Sequence, residues 1–214
     1  MKEKLTPESL QNSNEFELLD EVSHNELKEF VINQITKEKY IIRIYSSYQL
    51  VMFLLFMFFF TRSIVLAIKG FPEMFIPIIL ATAFSVTILV IVHELIHALA
   101  YWVTGARKIS FGAIIRKFIF YVLANRQVIT PNAFRIVALS PFVMIKVTCL
   151  IGIVIFYNQQ LMYFFITVMC LHSLFCAGDI AMLAFYRIHR NKEIYNFDDK
   201  TTGKTYFYCR KTRS

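Results

Sequence analysis

Four long apolar runs, at residues 51–60, 75–92, 136–156 and 161–184, decide what this chain can become. Crossing the hydrocarbon core of a bilayer takes about 20 apolar residues of helix; the last three runs meet or approach that length, and the first does so with its flanks at about 46–67. A soluble domain buries far fewer. Of the 214 residues 57% are hydrophobic, 22 are Phe, and mean hydropathy is +0.52, beyond the usual range of soluble chains. The expected fold class is an α-helical integral membrane protein with about four transmembrane helices. The first covers about 46–67, the second starts near Phe75, the third near Phe134, and the fourth runs through 161–184.

The net charge of +8 does not point to nucleic acid, because the basic residues stand beside the apolar runs. Arg107, Lys108, Arg116, Lys117, Arg126 and Arg135 fall between the second and third runs. Arg187, Arg190, Lys192, Lys200, Lys204, Arg210, Lys211 and Arg213 follow the fourth. The turn Asn158-Gln159-Gln160 carries no charge. Since cytoplasmic loops hold the excess of Lys and Arg, both termini and the middle loop are expected in the cytosol. The expected partners are a lipid bilayer and a membrane-protein or peptide substrate, and the expected place is the cytoplasmic membrane. The polar first forty residues are expected to hold no cleavable signal, since they contain no short apolar stretch before a small-residue site. Cys149, Cys170, Cys176 and Cys209 form no CxxC pair and are expected as free thiols.

Outside the spans, Thr6-Pro7-Glu8 has a capping hydroxyl before a proline at the first helical position. Ser23 to Glu26 has capping-box spacing ahead of Leu27, Phe30, Val31 and Ile35 at helical intervals. Between Lys108 and Thr130, short runs of β-branched and aromatic residues broken by Asn125-Arg126-Gln127 favour a small interfacial β-hairpin between helices 2 and 3. Its edge could pair with an extended substrate. A second, C-terminal hairpin is expected from 194–197 and 205–208 around Thr202-Gly203. Pro141, after Ser140, interrupts the third helix.

Within the second apolar run stands His93-Glu94-Leu95-Ile96-His97. Positions i and i+4 of a helix share a face, so both imidazoles can reach one Zn2+ while Glu94 serves as general base. The alternative is a bundle in which His93 and His97 are hydrogen-bonded and Glu94 pairs with an Arg, at the cost of burying three polar groups in a membrane. A catalytic zinc keeps three protein ligands and an open position. Asp179, the sole Asp within the apolar spans, is the candidate third ligand; its rival role is an ion pair with Arg135 or Lys146. His172 lies seven residues before Asp179, roughly 10 Å away by helix rise. It is a hydrogen-bonding neighbour of a ligand, an oxyanion contact or a core histidine. Glu73, His24 and His189 are expected in solvent.

The expected chemistry is peptide hydrolysis near the cytosolic membrane face through a zinc-activated water. A non-proteolytic metal-binding membrane protein with a regulatory role is the alternative. The corresponding organisation is a cytosolic amphipathic region at 1–44, a transmembrane metallopeptidase-like domain at 45–187 and a basic cytosolic tail at 188–214.

His93-Glu94-Leu95-Ile96-His97-Ala98, Ile109-Ser110-Phe111-Gly112, Arg135 through Phe142 and Ala177-Gly178-Asp179-Ile180 together resemble small bacterial membrane proteins of a zincin peptidase family. The resemblance implies zinc on His93 and His97, Glu94 as base and Asp179 as third ligand. A more distant likeness is to site-2 proteases, which cleave within the membrane. Those enzymes carry an Asn and Pro upstream of an Asp-Gly, where this chain has Cys176-Ala177-Gly178-Asp179-Ile180.

Overall fold

A computed structural model describes residues 5–114 and 119–211. The chain divides into two compact units, one of Met1–Lys39, Ile96–Ala138 and Ala181–Ser214, the other of Tyr40–Leu95 and Leu139–Ile180.

The first unit holds the small sheets. Helix α1 (Pro7–Asn12) starts where the sequence indicates: Thr6 Oγ1 accepts from Ser9 N at 3.2 Å and Ser9 Oγ accepts from Thr6 N at 2.9 Å. Strand β1 (Phe16–Ser23) follows, and after a single 3-10 turn comes α2 (Leu27–Lys37). Ser23 Oγ accepts from Asn25 N at the head of that turn. Strands β2 (Ile109–Ile114) and β3 (Ile119–Ala124) form the expected hairpin between the second and third apolar segments, antiparallel with Ile109 opposite Ala124. Residues 115–118 between them, including Arg116 and Lys117, lie outside the described residues. Gly112 permits that pairing, because a Cβ there would stand 2.3 Å from the Tyr121 ring.

The C-terminal hairpin of β4 (Ile194–Asp199) and β5 (Lys204–Arg210) is also present, with Gly203 in its turn at φ +64°. It gains a third member in β1, giving the order β1-β5-β4. The sheet packs on an aromatic core in which Phe185 meets Phe207 at 4.5 Å and Phe134 stacks on Tyr186 at 4.4 Å. His24 is a correction to the sequence reading. It is buried rather than solvated, its Nε2 3.3 Å from Thr205 Oγ1, whose hydroxyl donates to Asp198 Oδ1 at 2.6 Å. Burial pushes the Asp198 carboxyl up to about 6 and the His24 imidazole down. His189 is half-buried, 4.6 Å from the Phe185 ring.

The second unit is helical. Helix α3 (Lys39–Ile68) packs Met52, Leu55, Phe56 and Phe59 on a core of Ile78, Met162, Tyr163, Ile166 and Cys170. Its opposite face leaves Leu50, Phe53, Leu54 and Phe58 each more than half exposed. Two helices, α3 and α6 (Pro131–Ile155), are each long and apolar enough to cross a membrane. The other two apolar runs are not straight. One is α4 (Ile76–Val86) followed by α5 (Ile88–Val103), bent by 49°, and the other is α7 (Gln160–Phe175) followed by α8 (Ala177–Ile188), bent by 44°. Counting each bent pair as one span gives up to four. The breaks fall at Thr87 and Cys176, whereas α6 continues through Pro141.

Candidate metal centre

On α5 the residues Leu89, His93, His97, Ala100 and Tyr101 are buried, while Leu95 and Leu99 are about half exposed. This is the one-sided burial that helical periodicity imposes, and it turns both imidazoles to the same face one turn apart. Glu94, between them in sequence, is half-buried.

His97 Nδ1 lies 3.0 Å from the carbonyl oxygen of Val137. A carbonyl can only accept, so Nδ1 carries the hydrogen and, in the neutral ring, Nε2 keeps its lone pair for a cation. The sequence explains why this carbonyl is available. In an α-helix the oxygen of residue 137 accepts from the N–H of residue 141, and residue 141 is a proline. Pro141 therefore acts four residues upstream, through Val137. The sequence reading registered only an interruption.

Both ring nitrogens of His93 have neighbours. Nε2 lies 3.3 Å from Asp179 Oδ2, and Nδ1 lies 3.0 Å from His172 Nε2. Two donors on one tetrahedral zinc, each at about 2.0 to 2.1 Å, stand about 3.3 Å apart, so the His93–Asp179 pair fits an ion between them. Of the two rival partners of Asp179 suggested by the sequence, Arg135 and Lys146, Lys146 donates to Met169 O. Asp179 occupies the first turn of α8, where the positive end of the helix dipole favours a carboxylate.

His172 and Asp179 stand on either side of the break at Cys176, at the end of α7 and the start of α8, and approach opposite ring nitrogens of one imidazole. His172 is fully buried. Cys176 brings its Sγ to 3.7 Å from each His172 ring nitrogen, an arrangement sequence reasoning missed. All four cysteines are free thiols, as expected.

The family described as "Putative zincin peptidase" matches residues 86–195, half of the chain, and the chain belongs to that family. The matched segment runs from the end of α4 to the start of β4 and contains the HExxH helix, the β2–β3 hairpin, Pro141, His172 and Asp179. No curated protein and no solved structure matches the chain.

Proposed function

We propose that this protein is a membrane-embedded zinc metallopeptidase in which His93, His97 and Asp179 hold the metal and Glu94 is the general base. The observation that carries the reading is the set of partners around the two imidazoles. His97 donates from Nδ1 to the Val137 carbonyl, which fixes the ring, and His93 presents Nε2 to the Asp179 carboxylate at 3.3 Å. A metal-binding histidine is oriented in this way by a partner on its other nitrogen, which for His93 is His172 at 3.0 Å.

When bound, zinc supplies Lewis acidity that polarises a peptide carbonyl and brings the acidity of water toward neutrality. The chain supplies the rest. Glu94 takes the proton of the attacking water and delivers it to the leaving amine. Among the described residues β2 pairs on one side only, with β3, leaving an edge that an extended peptide can join.

The exposed faces support a bilayer setting. Leu50, Phe53, Leu54 and Phe58 on α3, and Ile136, Val143, Val147, Leu150 and Val154 on α6, form apolar surfaces that water disfavours and lipid accepts. Arg107 and Lys108 after α5, and Arg187 and Arg190 at the end of α8 and just past it, support an orientation with the histidine end of α5 toward the cytosol.

The test combines metal content with turnover in purified, detergent-solubilised protein. His97→Ala and Asp179→Ala should lose stoichiometric zinc. Glu94→Gln should keep it and lose cleavage of peptides from the membrane preparation. Zinc-loaded wild type and Glu94→Gln giving the same peptide profile overturns the peptidase reading.

A further inference from the structure

Hydrolysis makes no use of Cys176. Its thiol is fully buried at the α7–α8 break and lies 3.7 Å from both ring nitrogens of His172, while His172 Nε2 is 3.0 Å from His93 Nδ1. One donor atom from each of His93, His172 and Cys176 falls within 4.8 Å of the others, and all three side chains are buried. Two imidazole nitrogens on one tetrahedral ion stand about 3.3 Å apart, and an imidazole nitrogen and a thiolate about 3.6 Å apart. The distances here lie within a few tenths of an ångström of both. We propose that His93 Nδ1, His172 Nε2 and Cys176 Sγ form a second metal site, selective for a thiophilic ion such as Cd2+, Cu+ or excess Zn2+.

A nitrogen–nitrogen–sulfur set is softer than the nitrogen–nitrogen–oxygen set proposed above, and thiolate selects such ions. The two sets share His93 through opposite ring nitrogens, so its imidazole bridges them when both are filled. Binding at the second site releases two protons: the one held between His93 and His172, and the thiol proton, which Cys176 otherwise directs to the His172 carbonyl at 3.4 Å.

The probe is Cd2+ titrated into the purified full chain, followed by equilibrium dialysis and by the ultraviolet sulfur-to-cadmium charge-transfer band. Wild type should take up two equivalents, and the band should belong to one of them. Cys176→Ser should lose that equivalent and the band. A chain with Cys149, Cys170 and Cys209 all replaced by Ser should keep both, which tests the site even if Cys176→Ser fails to fold. His97→Ala should lose the other equivalent and retain the band. Uptake of a single equivalent without the band, or an unchanged band in Cys176→Ser, overturns the second site. A single equivalent that carries the band and survives His97→Ala supports this site and overturns the catalytic ligand set instead.

Discussion

Replacing Pro141 by Ala restores to α6 the N–H that an ordinary helix directs at the Val137 carbonyl, the group accepting from His97 Nδ1 at 3.0 Å. Two effects of opposite sign follow. A proline in a helix interior costs about 3 kcal/mol relative to Ala. Pro141 is fully buried, so losing its ring leaves a void that costs about 1 kcal/mol. The net stability gain is about 2 kcal/mol. The metal site moves the other way. Removing the partner that orients a ligating histidine lowers metal affinity about 10- to 100-fold. A carbonyl has two lone pairs, so the new N–H competes with His97 without displacing it. The expected loss is therefore at the low end, about tenfold, or about 1.4 kcal/mol. Competition with a chromophoric chelator measures zinc affinity for wild type, Pro141→Ala and His97→Ala, and thermal unfolding in the same detergent gives stability. A more stable Pro141→Ala chain that binds zinc as tightly as wild type refutes the link from Pro141 through Val137 to His97.

Other expected outcomes follow from the same geometry. His172→Ala removes the neighbour of His93 Nδ1 and should lower zinc affinity about 10- to 100-fold in the same chelator competition. Gly112→Val drives side-chain atoms into the Tyr121 ring, where even a Cβ would stand 2.3 Å away; hydrogen exchange across β2–β3 should report destabilisation of about 1 to 3 kcal/mol. Asp198→Asn keeps an acceptor for Thr205 and removes a buried charge. Because burial raises the Asp198 carboxyl from 3.8 to about 6, its stabilising contribution is full below 3.8 and is lost as pH rises through about 6. At pH 8 the variant should therefore protect β4 and β5 from exchange by up to about 3 kcal/mol more than wild type, with the gain gone below pH 4. Equal protection at pH 8 contradicts it.

The parts of this molecule that depend on local pattern were legible in the sequence. His93 and His97 share a face because of helical spacing alone, Thr6 caps α1 through a contact three residues long, and both hairpins announce themselves by β-branched and aromatic runs around polar breaks. Strand β1 was not legible. Phe16-Glu17-Leu18-Leu19-Asp20-Glu21 alternates weakly, and it becomes a strand by pairing with β5 nearly 200 residues away, a long-range contact that overrides propensity. The same limit hid His24, whose burial comes from Thr205 on β5 and Tyr121 on β3. At the candidate site the residue types were readable, but the bend at Cys176 was not. An apolar run of 24 residues reads as one helix, whereas the chain bends by 44° between His172 and Asp179, the two neighbours of the His93 ring. Pro141 was visible as a residue and opaque as a device, since its consequence falls on the carbonyl of Val137 and then on a different helix.

In the proposed mechanism Glu94 directs water onto a peptide bond at a metal held by its helical neighbours. Mass spectrometry of peptides cleaved in heavy-oxygen water by zinc-loaded wild type and Glu94→Gln tests it most directly. Wild type should give products labelled at the newly formed C-terminal carboxylate, and a Glu94→Gln chain that holds the same amount of zinc should give none. Labelled products in equal yield from both, or intact peptides with a fully zinc-loaded wild type, contradict it.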